Sequence, residues 1–312
     1  MLDKASNQLM QQFRAQAPDL HDLDVTIEDS RTGARALFLG LAGEIMTDCD
    51  VQELHIPGSH GQIPARLYTP LRKEPPLAVV VFFHGGGWCL ADLDCYDGLM
   101  RELCSLSGCA LLSVDYRLAP ENKFPAGLTD CCDAVHWIKQ HAPQYNLNPS
   151  KISLMGDSAG GNLALVSANV LTNQGIDLQH LYLIYPVVDS AADHKKYPSR
   201  VKYGDGDYFL TRDAISDTRD WYLHNPEEAT NPLVSPLLAD EFSHLPPTSI
   251  MLAGCDPLYD EGIALAQRLK HAGVLSRLTT YEQTIHAFLS FGILPVSLEA
   301  RKTLAIQLAH DH

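Results

Sequence analysis

Ser158 stands in Gly156-Asp157-Ser158-Ala159-Gly160-Gly161, a hydroxyl nucleophile between glycines at G-x-S-x-G spacing. Ile152-Ser-Leu-Met155 before it reads as a strand, and Asn162-Leu-Ala-Leu-Val166 after it resumes a helical period. A serine placed this way occupies a sharp strand-to-helix turn, and the flanking glycines remove side chains that would collide there. The N-terminus of the following helix aims unpaired N–H groups at the same spot, which favours a developing negative charge. The chemistry suggested is acyl transfer, in which an alkoxide attacks a carbonyl and an oxyanion must be stabilised.

His84-Gly85-Gly86-Gly87-Trp88 follows a buried apolar run some seventy residues earlier. Three consecutive glycines let backbone N–H groups approach a substrate carbonyl. Gly86 with either Gly85 or Gly87 is expected to donate to the oxyanion, together with the N–H of Ala159. His84 is expected to brace the loop by hydrogen bonding. A base and an orienting acid must complete the set. Of the fourteen histidines, His286 lies just past the last strand candidate, whereas His271 falls in a helix and His310 and His312 at the tail, where surface positions are expected. Asp256 follows the strand Ser249–Ala253, at the sheet's C-terminal edge where ligand sites form in open α/β sheets. Asp260 is the rival acid and reads as helix first-turn charge. Trp88 and Phe288, adjacent to the loop and the base, are expected to line the pocket. Tyr208 and Phe209 are expected to do the same from above, and Asp157 to add negative potential.

These residues need a scaffold. Val51–Ile56 and Gln62–Tyr68 read as a hairpin around Pro57-Gly58-Ser59. Ala78–Phe83, Ala110–Val114, Ile152–Met155, Leu181–Tyr185, Ser249–Ala253 and Arg277–Tyr281 then read as short strands separated by helix-length segments such as Leu128–His141 and Gly262–Ala272. That alternation predicts a mostly parallel sheet with helices on both faces. The interval 187–247 breaks the rhythm and holds one clear helix, from Thr211 as N-cap to about Leu223. In residues 1–50, Leu9, Met10 and Phe13 share a helical face that should end near Pro18. The expected division is a cap part at 1–50, a catalytic domain at 51–186 and 236–312, and a cap insertion at 187–235.

Apolar residues make up 46% and charged residues 20% of the 312, the composition of a soluble globular enzyme. Twenty-three basic against 38 acidic residues leave a net charge of −15, which disfavours nucleic acid and anionic membrane as partners. No basic start with an apolar h-region opens the chain and no apolar run reaches the roughly 20 residues of a spanning helix, so a cytoplasmic location is expected. The eight cysteines show no C-x-x-C pair and read as buried free thiols; no metal cluster is visible.

His84-Gly-Gly-Gly-Trp88, Asp115-Tyr-Arg-Leu-Ala-Pro-Glu121 with Phe124-Pro125, Gly156-Asp-Ser-Ala-Gly-Gly161, Ser235-Pro-Leu237, Asp256-Pro-Leu258 and His286-Ala-Phe288 follow one another over residues 80–290. In order and spacing this set closely resembles the hormone-sensitive-lipase-like α/β-hydrolase esterases, of the bacterial acetyl-esterase type. The resemblance implies a Ser158–His286–Asp256 triad, a glycine-loop oxyanion hole, a helical cap, and a supporting role for the segment 115–121. It also implies hydrolysis of small short-chain (acetyl to about hexanoyl) esters without a cofactor. A homodimer through the last edge strand is common among such proteins. Relatives often carry His-Gly where this chain has His286-Ala287. A peptidase of the same fold would use the same triad, and a non-catalytic binding protein on this scaffold need not keep the base.

Overall fold

The computed structural model describes residues 1–16, 26–45 and 48–312. Among them eight strands form one sheet: β1 (Cys49–Gly58), β2 (Gly61–Pro70), β3 (Leu77–Phe83), β4 (Ala110–Val114), β5 (Leu147–Asp157), β6 (Leu181–Ile184), β7 (Thr248–Cys255) and β8 (Leu275–Ile285). Their spatial order is β1-β2-β4-β3-β5-β6-β7-β8. The hairpin β1–β2 and the β2–β4 pair are antiparallel; all other pairs are parallel.

Strand β3 shows why the sheet is buried on both faces. All seven residues of Leu-Ala-Val-Val-Val-Phe-Phe are buried. With a side-chain period of two, Val79, Val81 and Phe83 enter one apolar cluster while Ala78, Val80 and Phe82 enter the other. The first cluster is closed by α4 (Ala126–His141), α5 (Ala159–Asn173) and α8 (Tyr259–His271), the second by α3 (Leu93–Ser107) and α9 (Pro295–Asp311). The strands expected from the sequence all occur. β5 starts five residues earlier and β8 runs to Ile285, because backbone pairing continues through polar residues that carry no apolar signal.

Two N-terminal helices, α1 (Lys4–Gln16) and α2 (Ile27–Leu41), lie against the second cluster through Leu9, Met10 and Phe38. The expected stop near Pro18 lies outside the described residues. Between β6 and β7 run α6 (Pro198–Tyr203) and α7 (Arg212–Tyr222), with short 3-10 turns; Thr211 caps α7 by accepting from the Ala214 N–H. The short α6 was not expected. All eight cysteines are free, and all but Cys132 are buried. Among the described residues no helix is long and apolar enough to cross a membrane. One expectation fails at the tail: His310 is exposed, but His312 is half-buried, its Nε2 3.0 Å from Ser153 Oγ.

Candidate active site

The parallel register sets the site. Phe83 at the end of β3 pairs beside Gly156 near the end of β5, so the glycine loop and the serine turn leave the sheet side by side. Cys255 of β7 pairs with Ile285 of β8, which likewise places Asp256 and His286 together at the same edge.

Ser158 adopts φ 54°, ψ −120°, a strained conformation for a non-glycine residue. The turn survives because Gly156 and Gly160, two positions to either side, have no side chains: a Cβ on Gly160 would collide with the carbonyl of Phe83. Ser158 Oγ lies 2.8 Å from His286 Nε2, and His286 Nδ1 lies 2.6 Å from Asp256 Oδ2. A carboxylate only accepts, so Nδ1–H donates to Asp256 and Nε2 accepts a hydrogen bond from the Ser158 hydroxyl. Asp256 and His286 are 1% and 4% exposed. The Leu258 N–H donates to Asp256 Oδ1 at 2.8 Å, and the Tyr185 ring packs 4.8 Å from the imidazole. Asp260 instead accepts from the Ser199 N–H on α6.

In the glycine loop the N–H of Gly85 is already committed, donating to Asp157 Oδ1 at 2.7 Å and to the Tyr96 hydroxyl oxygen at 3.1 Å. Gly85 is therefore no free donor, which corrects one of the two expected alternatives. Among the described residues no protein group accepts from the N–H of Gly86, Gly87 or Ala159. Gly87 has φ +60°, and a Cβ there would approach Thr218 Cγ2 of α7 to 2.5 Å, so that helix rests directly on the loop.

His84 is fully buried; burial lowers its imidazole to about 4, leaving it neutral. Its Nδ1–H donates to the Gly85 carbonyl at 2.7 Å, and Tyr116 stacks on it at 4.5 Å while donating to the His84 carbonyl. The segment 115–121 braces the loop further, since the Ala119 N–H donates to the Trp88 carbonyl. Asp157 accepts from Gly85 and from Tyr96 O–H; burial pushes its carboxyl up to about 6, against the pull of those two bonds.

A cavity of about 280 Å³ opens over Ser158 and His286. Trp88 and Phe209 line it, as expected, and Asp157 borders it with its carboxylate turned to Gly85 and Tyr96. Two pocket expectations are corrected. Phe288 is 0% exposed and packs against Tyr185 and Tyr281 in the core, because the turn after His286 carries the chain back under the sheet edge. Tyr208 packs edge-on against Tyr203 and faces a separate groove beside α1, since left-handed Phe209 (φ 79°) turns neighbouring side chains apart. Sequence reasoning missed Leu37 and Phe38 of α2, Leu210, Ile215 and Thr218 around α7, and Tyr96. The apolar stripe of α2 was the one available signal.

Residues 80–290 match the family described as the alpha/beta hydrolase fold. The chain belongs to the hormone-sensitive-lipase-like esterases of that fold. It is 37% identical over 275 residues to the carboxylic ester hydrolase LipN of Mycobacterium tuberculosis, covering 86% of this chain and 72% of that one. An ethyl acetate hydrolase of Pseudomonas putida is 32% identical, covering 89% and 86%. Among solved structures, an esterase of Pyrobaculum calidifontis superposes with a TM-score of 0.90 at 34% identity, covering 99% of each chain.

Proposed function

We propose that this esterase hydrolyses short-chain acyl esters, acetyl to about hexanoyl, of small uncharged alcohols through an acyl-enzyme. The observation that carries the reading is the hydrogen-bonded line Ser158–His286–Asp256, at 2.8 and 2.6 Å, opening into an apolar cavity. Ser158 Oγ attacks the ester carbonyl while His286 Nε2 takes its proton, a transfer that contributes roughly 10²–10⁴-fold. Asp256 holds the imidazolium that results. The N–H groups of Gly86, Gly87 and Ala159 receive the oxyanion, each donor supplying about 3–4 kcal/mol. His286 returns the proton to the leaving alcohol. Water then repeats the cycle on the acyl-enzyme, releasing the acid.

Chain length follows from size. About 280 Å³ is at the low end of small-molecule pockets, and α2 and α7 close it from above as a cap. The uncharged preference follows from apolar walls and from the buried acid behind the serine. The test is Ser158→Ala with p-nitrophenyl butyrate: kcat should fall by at least about 10³-fold with the fold retained. His286→Ala should lose comparably, and His271→Ala, an exposed helix position, should match wild type. Retained turnover in Ser158→Ala, or faster turnover of a dodecanoyl than a butyryl ester, overturns the reading.

A further inference from the structure

The glycine loop passes through three consecutive residues with positive φ: Gly86 at 108°, Gly87 at 60° and Trp88 at 62°. The glycines take this backbone freely, whereas Trp88 carries a Cβ and takes it only under strain. A strained residue persists where its surroundings over-determine it. Two contacts do so here. The Trp88 carbonyl accepts from the Ala119 N–H at 3.0 Å, and its indole stacks on the Tyr222 ring with centroids 4.5 Å apart and planes within 4°.

Tyr222 is the last residue of α7 and the only one that the helix buries. Its own place is fixed by the Phe124-Pro125 motif, which the reaction scheme leaves without a role. The Phe124 N–H donates to the Tyr222 carbonyl at 2.8 Å, and the Phe124 ring meets the tyrosine edge-on at 5.8 Å. On either side, Lys123 Nζ donates to the carbonyls of Trp221 and Leu223. The Tyr222 hydroxyl has no hydrogen-bond partner among the described residues, so the flat ring does the holding and the oxygen does not. Thr218, one turn earlier, also rests on the loop, but it lines the cavity; Tyr222 does not.

We propose that Tyr222 is a positioning residue for the oxyanion donors. Its ring holds Trp88 in the strained turn and thereby sets the backbone N–H groups of Gly86 and Gly87 just before it, without touching the ester. This rests on the esterase reading of Ser158 and deepens it. Oxyanion donors act only when they stand about 2.7–3.1 Å from the developing charge, and a misplacement of about 1 Å can cost about 10²-fold.

The experiment compares Tyr222→Leu with Tyr222→Phe on p-nitrophenyl butyrate, with kcat counted per site labelled to completion by a fluorophosphonate. Tyr222→Leu removes the flat face and should lower kcat about 10- to 100-fold with KM changed less than about three-fold, since the oxyanion exists only after attack. Tyr222→Phe keeps the face and should stay within about two-fold of wild type. A trifluoromethyl ketone supplies a readout that a loss of folded protein would not move. Ser158 Oγ adds to its carbonyl carbon, the hydroxyl proton passes to His286, and the carbonyl pair becomes an oxyanion. Its Ki should rise in Tyr222→Leu by the factor lost in kcat/KM, while that of the matching trifluoromethyl alcohol, which forms no adduct, should not change. Where Tyr222→Leu does not fold, Tyr222→Met makes the same comparison. The proposal is overturned if the folded Leu or Met variant keeps kcat within about two-fold, if the loss falls on KM alone, or if Tyr222→Phe loses as much. A wild type that neither turns over the ester nor takes the fluorophosphonate at Ser158 would instead sink the esterase reading.

Discussion

Below the cavity, Asp256 and His286 are 1% and 4% exposed and stand on turns that leave adjacent parallel strands. Above it, α2 and α7 each bury a single residue, Phe38 and Tyr222. The floor is held by the sheet ladder, the roof by partly buried apolar residues such as Leu37 and Ile215 and by a few charged contacts. Arg31 of α2 donates to the carbonyls of Cys89 and Ala119 and pairs with Glu121. Lys123 Nζ donates to three carbonyls at the end of α7, those of Asp220, Trp221 and Leu223, where the helix dipole favours a cation. Regions with little fully buried surface open at lower cost, so the roof is expected to open more readily than the floor.

The largest effect should come from the buried pair that joins insertion and floor. Arg200 of α6 and Glu261 of α8 are 1% and 0% exposed, with Arg200 Nε 3.0 Å from Glu261 Oε2. Arg200→Met strands a buried carboxylate and should cost about 3–5 kcal/mol in denaturant unfolding. Arg200→Met with Glu261→Gln should recover much of that, because the Gln carbonyl still accepts from Val188 and Asp189. At the roof's rim, Arg14 and Asp207 are 50% and 67% exposed, and Arg14→Met should leave the midpoint unchanged. Equal losses at the two sites would erase the distinction between floor and roof.

The acid beneath the glycine loop gives a pH-dependent version of the comparison. Burial raises the Asp157 carboxyl from 3.8 to about 6, so between those values the folded state holds a proton that the unfolded chain has released. Its contribution to stability is therefore greatest below pH 3.8, declines as pH rises to about 6, and is constant above. Asp157→Asn keeps an acceptor for the Gly85 N–H and removes the titration. Relative to wild type the variant should gain stability between pH 4 and pH 7.5, by at most about 3 kcal/mol. A difference that is the same at both pH values would mean that Asp157 is ionised throughout.

Floor and roof also differed in how far they could be read from the sequence. Ala110–Val114 was expected with both ends right, and Leu77–Phe83 to within one residue, because strands buried on both faces are uninterrupted apolar runs. The residues now seen around the cavity floor, Ser158, His286 and Trp88, were legible from turn chemistry. Glu261 was not, since its burial depends on Arg200, 61 positions away. Phe288 misleads because closeness in sequence to His286 is not closeness in space across left-handed Ala287, and Tyr208 because a place in the insertion does not fix which groove its ring faces beside left-handed Phe209.

A near-cancelling effect is predicted where this chain has His286-Ala287 in place of the His-Gly that the resemblance leads one to expect. Ala287 has φ 63°, ψ 7°, a left-handed conformation that costs a residue with a Cβ roughly 1–2 kcal/mol. Ala287→Gly would release that strain. It would also expose the loss of one buried methyl, about 0.8 kcal/mol, since Ala287 is 5% exposed, and give the unfolded chain more freedom, worth about 0.4–1 kcal/mol. Gain and loss nearly cancel, so unfolding free energy should change by less than about 1 kcal/mol. A stabilisation well beyond that would show that the methyl is poorly packed and that the turn after the base stores strain; a comparable loss would show that the methyl, which borders the cavity, is part of the floor's packing rather than a tolerated exception.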